Sequence, residues 1–321
     1  MENLKYKVRI KGLKTPAGSI PISALNKICE SIVEGSGRAL RLSIEGVSLH
    51  RGKLPPWQKR ATEFTITGIT KGSTILEVEA PILRDVIPEQ IAQQNLWYTG
   101  PQPNDTAISV LARAVSDVVS RKVESDQYDK GVLDTLLSLR PVFSDYATEC
   151  EITAVNQPKD KFNLSAEVLD QITEIKTEIP EPQAVVVSGL FDLIEHSHGK
   201  FKLEVADGHK ISGVVDLSAI DLEQMRSLWG KKVTIKGTGH FTSSGKARFI
   251  EAHIVKEFEK EEKVFEKIPR KQPTAFLFAE FQIPAQTQTK SPLAKLWGKW
   301  PGDEPIDELL KTLKDISMEN L

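Results

Sequence analysis

The sequence predicts an α+β fold in two parts, a mixed domain of helices and strands followed by a small β-barrel. Three observations support this prediction. The chain begins with residue patterns typical of a strand, a helix and a hairpin. Its second half contains several short strand-like runs with interspersed glycines. Between them, prolines in residues 179–182 predict a stiff linker. Because a chain of 321 residues is longer than one hydrophobic core usually supports, more than one domain is expected.

The first predicted domain covers residues 1–178 and begins with the order β-α-β-β. Residues 5–11 alternate between polar and apolar side chains, which is the period of a half-buried strand. Pro21 suits the first position of a helix whose apolar residues recur at helical spacing. Whether this helix ends at the Gly-Ser-Gly sequence 35–37 stays open. Residues 63–79 contain two strand-like runs around a Lys-Gly turn and predict a hairpin.

The rest of the first domain is predicted to be mainly helical. Residues 88–94 form a short helix, and Thr106 caps a longer one. A further helix ends near Pro141, residues 151–155 form a strand, and Ser165 begins a last helix. The linker with its prolines follows.

Residues 184–258 are predicted to form the barrel. Three strands, a short helix and two more strands follow one another, and Asp207-Gly208 is a strong hairpin turn. Glycines occur where a small barrel must bend sharply. This order is that of an OB-fold barrel, and a helix-bearing SH3-like barrel is the alternative. Residues 259–290 are interpreted as a linker with one short strand at 275–281.

The composition excludes several classes of protein. The chain has 42 Lys and Arg against 44 Asp and Glu, so a uniformly basic nucleic-acid-coating protein is excluded. No apolar run is long enough for a membrane span, and the first residues lack the apolar segment of a signal peptide. Only two cysteines are present, which is typical of a reducing compartment. We therefore expect a cytoplasmic protein without membrane contact.

The charge is unevenly distributed along the chain. Residues 1–60 contain 12 basic and 4 acidic side chains, a net charge of +8, which leaves −10 for residues 61–321. In the first strand the basic residues alternate with apolar ones, so they share one face. This face is a candidate nucleic-acid-binding surface, and its residues are Lys5, Lys7, Arg9 and Lys11. Solvated strand positions are the alternative interpretation.

No catalytic, cofactor or metal motif emerges. The Ser-Ser-Gly-Lys sequence 243–246 lacks the earlier glycine of a phosphate-binding loop. His196 and His198 could share a strand face, but no third ligand is close in sequence. We therefore predict a protein that is not an enzyme, with no metal and no cofactor. Within the barrel, four phenylalanines could stack on nucleic-acid bases: Phe191, Phe201, Phe241 and Phe249.

The strongest functional signal lies in residues 291–321, which we call the tail. Two tryptophans precede a helix that begins at Pro305 and carries one apolar stripe. Tryptophans are favoured binding anchors, and an amphipathic helix in a groove is a recurrent mode of recognition. The candidate partner-binding residues are Leu293, Lys295, Leu296, Trp297, Lys299, Trp300, Ile306, Leu309, Leu310 and Leu313.

The tail sequence LWGKWPGDE at 296–304, followed by Asp307-Glu308-Leu309-Leu310, resembles the C-terminal segments of type II antitoxins. In that family such a segment wraps around a PIN-domain ribonuclease toxin, which is encoded nearby in a bacterial genome. The resemblance implies an antitoxin that neutralises such a toxin, with Lys295 and Lys299 facing the metal-binding carboxylates of the nuclease. Nucleic-acid binding by the OB-like barrel and the basic N-terminal face is the alternative, and a homo-oligomer stays open.

Overall fold

The computed structural model describes residues 2–16, 18–49, 52–70, 74–92, 100–155, 160–195, 199–215 and 222–272. Its mixed α+β architecture with a small closed barrel confirms the predicted fold class at that level. The described residues form two hydrophobic cores, one from Tyr6 to Ile179 and one from Val185 to Ala252. We call the two parts the sheet domain and the barrel.

The sheet domain is built around five antiparallel strands in the spatial order β2-β3-β1-β4-β5. Alternation in β1 turns Tyr6, Val8 and Ile10 towards the helices, where all three are buried. The strands are β1 (Asn3–Lys11), β2 (Thr65–Thr70), β3 (Thr74–Pro81), β4 (Glu149–Ala154) and β5 (Lys161–Ser165).

Helices pack on the inner face of this sheet, and the longest of them, α1, contacts α5 and α6. Two helices begin at the predicted caps. The Thr106 hydroxyl accepts a hydrogen bond from the Ser109 amide at 3.2 Å. The Ser165 hydroxyl accepts one from the Val168 amide at 3.4 Å. The helices are α1 (Ile22–Glu45), α2 (Pro56–Ala61), α3 (Leu83–Val86), α4 (Pro88–Ala92), α5 (Ala107–Val119), α6 (Lys130–Leu137), α7 (Arg140–Asp145) and α8 (Ala166–Glu178).

Local details differ from the prediction at several points. Helix α1 continues through the Gly-Ser-Gly sequence 35–37, because these small residues let α1 approach its neighbours closely. The helix predicted to end near Pro141 ends at Leu137, and Pro141 itself stands in the first turn of the next helix, α7. The short helix predicted at 88–94 is described only as far as Ala92, and the sequence prediction omitted β5.

The barrel closes in the order β10-β8-β7-β6-β9, with β6 next to β9. Helix α9 (Leu222–Leu228) lies between β8 and β9 in sequence, and β8 runs parallel to β10. Its strands are β6 (Gln183–Glu195), β7 (Lys200–Glu204), β8 (Lys210–Val215), β9 (Lys232–Phe241) and β10 (Ala247–Glu257).

A 3₁₀ helix, Lys260–Phe265, follows the barrel. The Thr234 hydroxyl of β9 donates to Glu262 at 2.7 Å, which fixes this helix to the barrel wall. Beyond it, the Lys271 amide donates to the Gly245 carbonyl at 2.8 Å. The sheet domain and the barrel belong to one compact unit. The strand predicted at 275–281 lies outside the described residues.

Candidate functional site

The residues predicted to bind a protein partner lie in the tail, and the tail lies outside the described residues. Their assignment stays a prediction. They are Leu293, Lys295, Leu296, Trp297, Lys299, Trp300, Ile306, Leu309, Leu310 and Leu313. The remaining candidates can be examined directly in the sheet domain and the barrel.

The four basic residues of β1 do share the outer face of the sheet, opposite the helices. We call them the basic row: Lys5, Lys7, Arg9 and Lys11. The row exists because side chains in a strand alternate between faces, so the apolar residues between them are all turned inward. This much follows from the sequence of β1 alone.

Acidic residues of β4 lie beside the basic row. An Arg9 guanidinium nitrogen lies 3.9 Å from a carboxylate oxygen of Glu151, and Lys11 Nζ lies 3.0 Å from both Glu149 and Glu151. Lys161 on β5 approaches Glu151 from the other side at 2.7 Å. Hydrogen bonds from Lys161 and Lys11 lower the pKa of Glu151 to about 2. The carboxylate is therefore ionised at neutral pH and neutralises part of the row.

Strand β3 adds acidic residues on the opposite side. Lys5 stands directly across from Glu79, with Nζ 3.5 Å from a carboxylate oxygen, and Lys7 stands across from Glu77. The outer face of β1, β3, β4 and β5 thus brings five basic side chains against four carboxylates. A nearly balanced face produces little net field to attract phosphates.

The four barrel phenylalanines considered for base stacking are all buried. Phe191, Phe201, Phe241 and Phe249 are exposed by 0–5%. The rings of Phe191 and Phe201 stack on each other at 5.4 Å inside the barrel. None of the four presents a face to a base, because closing the barrel turns them into the core or against the sheet domain. A short alternating strand could not reveal from its sequence which face becomes the interior.

The turn between β9 and β10 is held against the sheet domain. The Ser244 amide donates to the Val123 carbonyl at 3.0 Å, and the Ser243 hydroxyl donates to the same oxygen at 3.1 Å. The buried Tyr128 hydroxyl lies 3.3 Å from that of Ser243. This turn contains the Ser-Ser-Gly-Lys sequence 243–246, which lacks the earlier glycine of a phosphate-binding loop. Its hydrogen bonds are used to join the two parts of the molecule.

Arg248 of β10 is the centre of the same junction, with only 5% of its side chain exposed. It donates to the Gly46 carbonyl at 2.9 Å and lies 3.5 Å from Asp129. Asp129 also accepts from the Ser48 hydroxyl at 2.6 Å and from the Val132 amide at 3.0 Å, where it caps α6. A buried guanidinium requires such compensation. No sequence signal marks Arg248, because its acceptors come from segments far away along the chain.

Cavities adjoin this junction. One, of 170 Å³, is lined by residues that include Asp129, His240 and Arg248. Another, of 60 Å³, is lined by residues that include Gly46, Arg248 and Phe249. A larger cavity, of 770 Å³, is lined by the end of α5 and residues 121–127. Each of the three basic side chains that line the larger cavity is ion-paired, in the pairs Arg113–Asp105, Arg121–Glu174 and Lys122–Asp117. The lining therefore offers a ligand no uncompensated cation among the described residues.

Histidine and cysteine side chains do not assemble into a reactive cluster in the part of the chain described. His240 contacts Glu251 at 3.1 Å, and no described group of three or more His, Cys, Asp or Glu residues could hold a metal ion. His196 and His198 lie outside the described residues. Burial raises the pKa of the Cys150 thiol to about 12, so this thiol is protonated at neutral pH.

Comparison with known proteins found no matching family model, no matching curated protein and no matching solved structure. Of the helices that the structure describes, none combines the length and apolar character needed to cross a bilayer.

Proposed function

We propose that this chain is a protein inhibitor of the antitoxin type, whose tail binds and neutralises a PIN-domain nuclease toxin. The observation that carries the proposal is the tail sequence itself, with Trp297 and Trp300 next to an amphipathic helix stripe. The proposed partner is encoded nearby, and the proposed location of the complex is the cytoplasm.

The proposed inhibition is electrostatic and steric. A PIN nuclease site gathers carboxylates that hold a divalent metal ion, so it is acidic when the metal is absent. Lys295 and Lys299 flank Trp297 in the sequence and can offer ammonium groups to such carboxylates, while the helix stripe covers the groove beside them. We propose that the tail excludes both RNA and metal from the site.

The segment that leads to the tail begins from an ordered part of the described unit. The chain is hydrogen-bonded to the barrel up to Lys271. The Lys271 amide donates to the Gly245 carbonyl, and Arg270 forms an antiparallel backbone β-bridge with Lys246. Gly245 belongs to the turn that contacts Val123 of the sheet domain through Ser243 and Ser244. The segment that leads to the tail therefore starts from the junction of the two parts.

Copurification with the product of the adjacent gene tests the proposal. Deleting residues 291–321 should abolish copurification and the rescue from toxicity, while far-ultraviolet circular dichroism retains the signal of the folded unit. Trp297→Ala and Trp300→Ala should each weaken binding by about 30-fold, as expected for interface anchors worth about 2 kcal/mol.

Trp229 provides the matched control for these substitutions. It is 67% exposed, and its indole nitrogen donates to the Asp192 carbonyl of the barrel at 3.2 Å. Trp229→Ala should leave binding of the toxin unchanged. Copurification and rescue that persist without residues 291–321 would show that the tail is not the inhibitory element.

The barrel favours a second candidate, a nucleic-acid-binding module of the OB type. A closed five-stranded barrel with a helix between its third and fourth strands supports this class over an SH3-like barrel. In OB-folds the second and third strands present the ligand surface, and here their outward residues include Lys200, Lys202 and Lys210. Lys210 already contacts Asp192 at 2.6 Å and Glu204 at 3.3 Å.

Fluorescence anisotropy with labelled single-stranded DNA and RNA separates the two candidates. Binding through phosphates falls steeply as salt rises. If the barrel binds, Lys200→Glu with Lys202→Glu should abolish the signal, whereas Lys5→Glu with Arg9→Glu should abolish it if the basic row binds. An absence of binding at low salt excludes this candidate and leaves the tail proposal untouched.

A further inference from the structure

Strand β2 is an exposed edge of the central sheet. It stands last in the strand order and pairs with β3 on one side, and no other described strand pairs with it. Every residue of Thr65–Thr70 is exposed or half-buried, so the helices leave both faces of this strand uncovered. An open edge of this kind presents unpaired backbone amides and carbonyls, which are a template for another strand.

A β-bulge in β2 gives the edge an apolar surface. Ile66 pairs with Val78 and Ile69 pairs with Leu76, and the register shifts between Ile66 and Gly68. Because directly paired residues lie on the same face, Ile66 and Ile69 both lie on the inner face despite their spacing of three. Their partners in β3 are buried, yet Ile66 is 46% and Ile69 is 58% exposed.

The opposite edge of the sheet is protected. In β5 the inward residues Phe162 and Leu164 are buried, and α8, which follows at once, packs against the strand. Lys161 adds a charge at the start of β5. Charged residues and covering helices are the usual means of blocking an edge. Of the two edges, only β2 combines open backbone groups with exposed isoleucines.

We propose that β2 pairs antiparallel with β2 of a second copy of this chain, across a twofold axis. In the register that we propose, Ile66 lies opposite Ile69 of the second copy, and Thr65 lies opposite Thr70. This register keeps inner-face residues opposite inner-face residues on both chains, and a slip of one residue would not. The twofold axis creates two Ile66–Ile69 pairs, which form one apolar cluster of four side chains.

The residue pattern of β2 favours a second copy as the occupant. Strand β2 contains no charged residue, so two copies meet along it without repulsion between like charges. Its sequence, Thr-Ile-Thr-Gly-Ile-Thr, has Thr first and Ile second from either end. Antiparallel self-pairing therefore sets threonine opposite threonine and isoleucine opposite isoleucine at both ends. The sequence around this edge is therefore complementary to itself in the antiparallel direction, independently of what the tail binds.

Sedimentation equilibrium of the full chain over a range of concentrations tests the proposal. We expect reversible dimerisation, because a single six-residue edge makes a small interface. Ile66→Glu and Ile69→Lys should each weaken the dimer by at least about tenfold, since each substitution acts twice across the axis. The double variant Ile66→Glu with Ile69→Lys should restore dimerisation, because the proposed register brings each new carboxylate opposite a new ammonium group.

Ile254→Lys is the matched control, because Ile254 is an exposed isoleucine on the barrel. This substitution should leave the molecular mass measured by sedimentation unchanged. Thermal unfolding followed by circular dichroism checks that every variant remains folded. A chain that stays monomeric at high micromolar concentration overturns the proposal. A dimer that both single substitutions leave intact also overturns the proposal. The proposal fails as well if the double variant dimerises no more tightly than the single variants. Binding of a foreign extended peptide to a monomeric chain would instead assign the edge to another partner.

Discussion

The two faces of the central sheet are formed by the same strands but differ in the side chains that they present. On the inner face, Tyr6, Val8 and Ile10 of β1 are buried under the helices. On the outer face, the basic row lies between the carboxylates of β3 and β4. The inner face provides stability through burial, whereas the outer face consists of compensated surface charges. A basic strand is therefore not by itself a basic surface, because the side chains of the neighbouring strands decide the net charge of the face.

The inner face also contains a polar network. The Tyr6 hydroxyl lies 2.7 Å from that of Thr106 and 3.1 Å from that of Ser109, and Ser109 donates to Asp160 at 2.6 Å. Burial raises the pKa of Tyr6 above its ordinary value. This network connects β1 with the start of α5 and with the residue before β5. A buried hydrogen bond is lost at greater cost than an exposed ion pair.

The largest difference between the faces should appear in β4. Ile152 points inward and is fully buried, so Ile152→Ala should lower the free energy of unfolding by about 3–4 kcal/mol through lost burial and a cavity. Its neighbour Thr153 points outward. Thr153→Ala should change stability by no more than about 0.5 kcal/mol. Urea denaturation measures both, and equal effects would contradict the assignment of the two faces.

A smaller effect is expected from the inner network. Tyr6→Phe should lower the free energy of unfolding by about 1–2 kcal/mol, because it leaves the Thr106 and Ser109 hydroxyls without one of their partners. Tyr146 is half-buried and makes no hydroxyl hydrogen bond within the described residues. Tyr146→Phe should therefore stay within about 0.5 kcal/mol of the wild type in the same urea titration. A Tyr6→Phe variant as stable as the wild type would show that the network contributes nothing.

The smallest effect should come from the outer face and should depend on pH. The pKa of Glu151 is about 2 in the folded chain against an ordinary value of 4.5, so ionised Glu151 stabilises the fold above pH 4.5. That contribution is lost as pH falls from 4.5 towards 2. At a surface site it amounts to about 1 kcal/mol or less.

Urea titrations across this pH range measure the loss. Glu151→Gln should be less stable than the wild type at pH 6, and the difference should disappear as the pH approaches 2. Lys161→Met should reduce the same pH dependence, since Lys161 is the main cause of the lowered pKa. An undiminished pH dependence in Glu151→Gln would place its origin at another carboxylate.

The sequence predicts well what depends on neighbours along the chain. The alternation in β1, the caps at Thr106 and Ser165 and the hairpin of β2 with β3 are all local, and the structure has them. Strand β5 was missed because its five residues contain only two apolar positions before a strong helix start.

Contacts between distant segments could not be read from the sequence. Lys11 and Glu149 are 138 positions apart in the sequence. The residues near β1 therefore do not indicate that the positive charges of β1 are compensated. Helix α1 continues past Gly35 and Gly37 because Leu111 and Gln58 pack against them. Arg248 has its acceptors at Gly46 and Asp129, about 200 and 120 positions earlier in the chain, so no local pattern around Arg248 indicates its role. The tail remains predicted from sequence alone.

The Arg248 junction bears on how the gene itself can change. A break in the coding sequence at residues 179–182 would separate the sheet domain from the barrel. The barrel alone would then expose Phe249 and the Arg248 guanidinium, and the sheet domain alone would lose the cation that faces Asp129. Neither domain can be combined with other domains unless substitutions replace these exposed apolar and charged residues. The two domains are therefore expected to be inherited together, as one unit of evolution and not as exchangeable modules.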